Sequence, residues 1–138
     1  MPADWADVRR IALALPGTED RESRGHLGWW TGGRMFVWER PLRRSDHEAL
    51  DALGRTAPQG PIAGVRVADE GVKAALLAES DVDAGGALFT IPHFDGYPAV
   101  LVLLERIGLG DLEELVTEAW LDRAPRRLAA AWLAEHPS

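Results

Sequence analysis

Two short runs of aromatic and β-branched residues, Leu27 to Thr31 and Arg34 to Glu39, constrain the fold of this chain more than any other feature. Gly32-Gly33 separates them, and a two-residue glycine loop favours the positive φ angles of a primed hairpin turn. The sequence therefore predicts a β-hairpin. Adjacent Trp29 and Trp30 must then point to opposite faces of one strand, so one of the two indoles is expected to reach solvent.

Helical patterns flank this hairpin on both sides. Apolar residues at helical spacing predict a first helix that starts near Trp5 and ends at Pro16-Gly17. The polar residues 18–25 are expected to form a surface connection. After the hairpin, Ser45 and Glu48 have the spacing of a capping box, which predicts a short helix ending at Gly54.

The second half of the chain repeats this alternation of strands and helices. Ile62 to Val67 predicts a strand, and Asp69 opens a predicted helix with Val72, Ala75 and Leu76 on one face. Ala87 to Ile91 and Ala99 to Leu104 predict two strands that pair antiparallel. Two helices then follow, one behind Asp111 as N-cap and one with Pro125 in its first turn. The first of them carries core positions at Leu112, Leu115, Val116, Ala119 and Trp120.

The order of these elements predicts the fold class. Strands that alternate with helices over short connections indicate an α+β domain with a mostly antiparallel sheet of about five strands and helices packed on one side. The 138 residues, 1–138, are expected to form a single domain with one core.

Composition excludes several functional classes. The chain has no cysteine, which excludes disulfides, thiolate nucleophiles and cysteine-ligated metals. Residues 1–10 contain charges in place of an apolar signal, and the longest apolar run has only six residues, so we expect a cytoplasmic location without a membrane anchor. Phosphate-binding loops, nucleophile elbows and zinc-binding helix motifs are absent from the sequence, so neither a catalytic site nor a cofactor is predicted.

The segment from Pro92 to Pro98 carries the most reactive side chains. His93 and Asp95 have the spacing of two metal ligands, with His26, His47 or His136 as the third. His93, Asp95 and Tyr97 could alternatively form an acid–base set. The simpler interpretation is a structural or binding loop in which Gly96 supplies a turn with positive φ, and on that interpretation we predict no metal site.

Two arginine clusters interrupt an acidic background of net charge −7. One contains Arg40, Arg43 and Arg44, and the other contains Arg123, Arg126 and Arg127. Guanidinium groups bind phosphate oxygens in bidentate fashion, so the two clusters would form a phosphate-binding patch if they lay on one side of the molecule. Placed apart, they would be solvated charges at helix ends.

Several segments resemble the MmcQ/YjbR family of small bacterial proteins, whose fold is compared with the frataxin-like CyaY group. The resemblance rests on residues 14–17, 32–36, 90–102, 118–120 and 124–128. It implies an α+β domain that binds DNA and has no assigned enzymatic activity. The resemblance implies a basic residue in the strand after the loop, where this chain has Leu103, so the chain departs from the family pattern at one potential phosphate contact.

These observations lead to two functional hypotheses. The first is a non-enzymatic domain that binds DNA weakly and in a salt-dependent manner through Arg40, Arg43, Arg44, Arg126 and Arg127. The second is a module that binds a protein or a small ligand through the His93–Pro98 loop and the Trp29–Trp30 hairpin.

Overall fold

A computed structural model describes residues 2–137 and confirms the predicted α+β class. The helices of this part are α1 (Trp5–Leu13), α2 (Arg44–Ala52), α3 (Glu70–Ser80), α4 (Leu109–Arg123) and α5 (Arg126–Glu135). Its strands are β1 (Thr18–Ser23), β2 (His26–Thr31), β3 (Arg34–Glu39), β4 (Ile62–Arg66), β5 (Leu88–Phe89) and β6 (Ala99–Leu103). Short 3₁₀ turns at Val82–Ala84 and Pro92–Phe94 precede β5 and β6. No helix within this range is both long and apolar enough to cross a membrane.

The strands form one antiparallel sheet in the order β1-β2-β3-β4-β6-β5. The predicted hairpin is present as β2 and β3, and its turn has φ angles of 57° at Gly32 and 78° at Gly33. The predicted antiparallel pairing of the two later strands is also confirmed, although β5 contains only two residues of the predicted run from Ala87 to Ile91.

The sheet has six strands because residues 18–23 form an edge strand, which corrects the prediction of a surface connection. β1 pairs with the whole of β2, from Thr18 opposite Thr31 to Ser23 opposite His26. Its sequence is almost entirely polar, so it lacks the apolar alternation by which a half-buried strand is recognised. Charged side chains are typical of edge strands, where they discourage pairing with other molecules.

One face of the sheet carries the larger part of the core. A row of four fully buried side chains crosses the four central strands, one from each strand: Trp29, Val37, Val65 and Val100. They pack beneath α1 and α4, and all five predicted core residues of α4 are buried. The indole of Trp120 donates a hydrogen bond of 3.0 Å to the carbonyl oxygen of Pro16, which joins α4 to the segment that follows α1.

The opposite face of the sheet is covered in part by α2. Leu50 of this helix packs with Ile62, Phe89 and Leu101 in a second apolar cluster. The helices therefore do not all lie on one side as predicted. What remains of this face, next to the β2–β3 hairpin, is open and forms the groove described below.

Three helix starts differ from the sequence expectations. Helix α2 begins two residues earlier than the Ser45–Glu48 motif implies, with Arg43 as N-cap, and the Asp46 carboxylate accepts a hydrogen bond of 2.8 Å from the backbone N–H of Arg43. Gly108 is the N-cap of α4, and Asp111 lies in its first turn. Pro125 is the N-cap of α5.

Helix α3 begins at Asp69 as predicted, but it buries a different face. Val72 is 40% exposed, whereas Lys73 is 5% exposed. A buried lysine is unusual and requires hydrogen-bond partners. These partners lie in the loop that the sequence singled out.

Candidate binding groove

An open groove of about 530 Å³ lies between the β2–β3 hairpin and the loop of residues 92–98. It occupies the sheet face opposite α1 and α4. Its walls are aromatic on both sides, and its rim is basic; the lining side chains include Trp30, Trp38, Phe94, Tyr97, His26, His93, Arg24 and Arg43.

Two glycines make room for the indoles that form the hairpin wall of the groove. A Cβ atom at Gly64 would lie 2.3 Å from Cε2 of Trp38, so this ring rests directly on the backbone of β4. The ring of Trp30 rests on Gly28 in the same way, because a Cβ atom at Gly28 would lie 2.7 Å from the ring carbon Cζ3 of Trp30. Both tryptophans are half-buried. The adjacent indole of Trp29 is fully buried on the other face and stacks against Trp5, so the predicted division of the Trp29–Trp30 pair is confirmed.

The opposite wall is held by Lys73. Its ammonium group donates hydrogen bonds of 2.7 Å to the carbonyl oxygen of Phe94 and 2.9 Å to that of Tyr97. The backbone N–H of Val67 donates to the Pro98 carbonyl at 2.9 Å, and Gly96 turns the chain with a φ of 75°. This loop is therefore fixed to α3 and β4, and it presents Tyr97 with 42% of its surface exposed.

A buried ion pair supports the loop from below. Nη1 of Arg40 lies 2.9 Å from Oδ2 of Asp46, and each side chain is 4% exposed. The guanidinium carbon of Arg40 also lies 5.3 Å from the ring centroid of Phe94. Burial raises the pKa of Asp46, but the backbone N–H of Arg43, the Arg40 guanidinium and the nearby His93 outweigh burial and hold that pKa below its usual range.

The five arginines predicted to contact DNA do not gather in one place. Arg40 is committed to Asp46 inside the protein, and its Nη1 donates to the Pro41 carbonyl. Arg43 is exposed at the rim of the groove. Arg44 points into solvent and makes an exposed contact with Glu48.

Arg126 and Arg127 lie at the far end of β3 from this first cluster. They follow Pro125, which packs against Gly32 immediately before β3, whereas Arg40 follows the end of that strand. Six strand residues span roughly 17 Å. The two clusters therefore do not form one compact patch.

The predicted loop residues are divided between the groove and solvent. His93 and Tyr97 line the groove, whereas Asp95 is exposed and does not. Within residues 2–137, no group of three His, Asp or Glu side chains is close enough together to hold a metal ion.

The sequence did not indicate one residue that lines the groove, Arg24, or the residue that supports its wall from outside, Lys73. Arg24 belongs to the β1–β2 turn, where it has a φ of 53°, and it lines the groove. The polar residues 18–25 have no pattern that distinguishes such a turn from a surface connection. The sequence does not indicate that Lys73 is buried, because this lysine lies outside the predicted apolar face of α3. The only feature of the sequence that distinguishes Lys73 is that the chain has no other lysine.

A second concave surface, of about 420 Å³, lies between α3 and α4 on the other face of the sheet. Its floor is apolar, and its edge carries the carboxylates of Glu79, Asp111, Glu114 and Glu118. Arg106 at this edge donates to the carbonyl oxygens of Val82 and Gly86. Four carboxylates repel an anionic ligand, so the cleft between α3 and α4 differs in charge from the aromatic groove.

Comparison with known proteins identifies close relatives in mycobacteria. The chain is 54% identical over 132 residues to uncharacterized proteins of Mycobacterium bovis and of two Mycobacterium tuberculosis strains, and the match covers 96% of this chain and 97% of each relative. The chain belongs to the family of these mycobacterial proteins. No family model matches it. No solved structure matches it.

Proposed function

We propose that this protein is a non-enzymatic binding domain that holds unpaired DNA in its aromatic groove. The observation that carries this proposal is the placement of Trp30 and Trp38 on one wall and Tyr97 on the other, with exposed arginines at the rim. Proteins that bind single-stranded nucleic acid combine these same elements, namely aromatic rings that stack on bases and cations that follow the phosphates.

The groove is suited to unpaired bases because stacking requires a free base face. Tyr97 is 42% exposed on a loop whose backbone Lys73 fixes, and the Arg66 guanidinium lies 4.8 Å from the centroid of its ring, so a base that stacks here meets a ring that is already paired with a cation. Bases inside a duplex present only their edges, which a recessed groove does not reach. The proposed ligand is therefore single-stranded DNA, whereas the arginine clusters considered alone would favour a double helix.

The charge distribution supports weak and salt-dependent binding. The molecule is acidic overall, but Arg24 and Arg43 are exposed at the groove rim. Glu39 also lines the groove, and its carboxylate accepts a hydrogen bond of 2.6 Å from the backbone N–H of Leu27. The four carboxylates at the cleft between α3 and α4 lie on the other face of the sheet. DNA binding is also what the resemblance to the MmcQ/YjbR family implies, and it fits a cytoplasmic protein.

A labelled oligothymidylate of about 15 nucleotides tests the proposal by fluorescence anisotropy at low salt. Tyr97→Ala should weaken binding about 5- to 150-fold, the range expected for the loss of one base–aromatic stack of about 1–3 kcal/mol. Leu53→Ala is the matched control, because Leu53 is 59% exposed and lies outside the groove. Equal affinity of both variants, or no binding by the wild-type protein, would contradict the proposal.

A mononucleotide, which joins a planar base to an anionic phosphate, is the second candidate ligand. The groove volume of about 530 Å³ favours it, because pockets for small molecules span roughly 300–1,000 Å³. A mononucleotide that raises the melting temperature of the wild type but not of Tyr97→Ala, with no binding of the oligonucleotide, would select this candidate.

A further inference from the structure

Three arginines converge at the end of the sheet where β3 begins and β4 ends. Arg34 starts β3, Arg66 ends β4, and Arg123 ends α4. The antiparallel pairing of β3 with β4 brings the first two to the same end, and the packing of Pro125 against Gly32 brings the end of α4 there as well. None of the three is among the five arginines predicted to contact DNA, although Arg123 belongs to the second arginine cluster of the sequence.

These three positive charges have no ion pair in the described part of the chain, although Arg66 also lines the cleft between α3 and α4, whose edge carries carboxylates. Within residues 2–137, the arginines that form a salt bridge to a carboxylate are Arg9, Arg10, Arg21, Arg40 and Arg44. The Nε atoms of Arg66 and Arg123 are buried, and no hydrogen-bond partner within residues 2–137 reaches either atom. A buried donor without a partner is destabilising by about 1–3 kcal/mol.

The charges are close enough to affect one another. Burial lowers the pKa of Arg123, and the positive charges of Arg66 and Arg34 lower it further, while Tyr97 and Asp122 act in the opposite direction. Asp122 is exposed, so it offsets only part of the repulsion. An arrangement of repelling, unpaired donors is typical of a site that is completed by an anion.

The cluster adjoins the aromatic groove. The guanidinium carbon of Arg66 lies 4.8 Å from the ring centroid of Tyr97, which lines the groove. Helix α5 begins three residues after Arg123, and the side chain of its N-cap, Pro125, accepts no hydrogen bond, so first-turn N–H groups remain available nearby.

We infer that Arg34, Arg66 and Arg123 form a phosphate-binding site at the Tyr97 end of the groove. Guanidinium groups from three elements surround a tetrahedral anion and donate to several of its oxygens, which supplies the missing partners and neutralises the repulsion. The phosphate is either a free ion or the terminal phosphate of a strand held in the groove. Only the second source depends on the function proposed above.

Inorganic phosphate is the probe for the site itself, with sodium chloride at equal ionic strength as the reference. Phosphate should raise the melting temperature of the wild-type protein above that in chloride. Arg34→Gln should abolish this increase and, because one repelling charge is gone, should melt at a higher temperature than the wild type in chloride. Since Arg34 is exposed, this variant is expected to fold, and Arg66→Gln gives a second test of the same prediction.

Arg10→Gln is the matched control, because Arg10 is an exposed arginine on α1 that pairs with Asp7. It should retain the full response to phosphate. Equal melting temperatures of the wild type in phosphate and chloride would overturn the inference. So would an unchanged response in Arg34→Gln.

Oligothymidylates with and without a terminal phosphate distinguish the two sources. Tighter binding of the phosphorylated strand by the wild type, lost in Arg34→Gln, assigns the site to the end of a bound strand. A response to inorganic phosphate without any such difference assigns it to the free ion. If phosphate binds but no oligonucleotide does, the site is supported while the proposed DNA-binding function fails.

Discussion

The ammonium group of Lys73 donates a hydrogen bond of 2.9 Å to the backbone carbonyl of Tyr97, across 24 residues of sequence. This contact couples α3 to the wall of the aromatic groove. Together with the bond to Phe94, it satisfies two carbonyl oxygens in the loop and explains why a lysine is buried in a helix that exposes Val72. The position of Tyr97 thus depends on a residue outside the groove.

Lys73→Met should reduce the free energy of unfolding by about 1.5–3 kcal/mol, because the thioether keeps the apolar stem but cannot donate to the two carbonyls. Urea unfolding measures the loss. The backbone amide of Tyr97 should also exchange its hydrogen faster, since the loop loses its attachment to α3. Val72→Ala, at the exposed neighbour on the same helix, should change neither quantity. Wild-type stability and exchange in Lys73→Met would refute this role.

The ion pair of Arg40 and Asp46 predicts a dependence of stability on acidity. The pKa of Asp46 is lower in the folded protein than in the unfolded chain, so as the pH falls through the ordinary aspartate range the unfolded state binds more protons. The stabilisation by this carboxylate is complete above its unfolded pKa and is lost as the pH falls through the folded one. Asp46→Asn should therefore be less stable at pH 7 and show a shallower fall in unfolding free energy on acidification.

Chemical denaturation across this pH range measures the effect. Asp51→Asn serves as the control, because Asp51 is exposed on the same helix. It should retain the wild-type slope. An Asp46→Asn variant whose stability follows the same pH profile as the wild type would show that the pair does not contribute as described.

The close approach of Trp38 to Gly64 predicts a large effect of a single methyl group. Gly64→Ala should destabilise the protein by about 1–3 kcal/mol, because the added Cβ collides with the indole and must displace it. It should also alter tryptophan emission, since Trp38 forms part of the groove. Thermal unfolding and fluorescence spectra test both expectations.

Gly110→Ala provides the matched control for this substitution. Gly110 lies in the first turn of α4, and a Cβ there would have no atom within 4 Å. Alanine is favoured over glycine in helices by up to about 1 kcal/mol, so this variant should be as stable as the wild type or slightly more so. Equal destabilisation at both positions would argue against a specific contact at Gly64.

Local patterns in the sequence predicted much of the architecture. The hairpin follows from Gly32-Gly33, and the buried face of α4 follows from its regular apolar spacing. Both features are encoded within a few neighbouring residues. β1 was not predicted because its strand conformation results from pairing with β2, and a polar edge strand has no apolar periodicity of its own.

The groove was predictable only in part. The sequence singled out the His93–Pro98 loop and one of the two hairpin tryptophans, and the structure places both on one surface. The sequence gave no indication that Arg40 is buried against Asp46, because a buried ion pair and two surface charges have the same sequence pattern. Nor could it bring Arg34, Arg66 and Arg123 together, since their proximity depends on strand register and on the packing of Pro125 against Gly32.

Tryptophan fluorescence provides the most direct test of the central claim that the aromatic groove binds unpaired bases. At low salt, an oligothymidylate should quench the emission of Trp30 and Trp38 in a saturable manner and bind at least about tenfold more tightly than a duplex of the same length, because only free base faces can stack. Added salt should weaken this binding. An unchanged emission spectrum, or tighter binding of the duplex, would contradict the account.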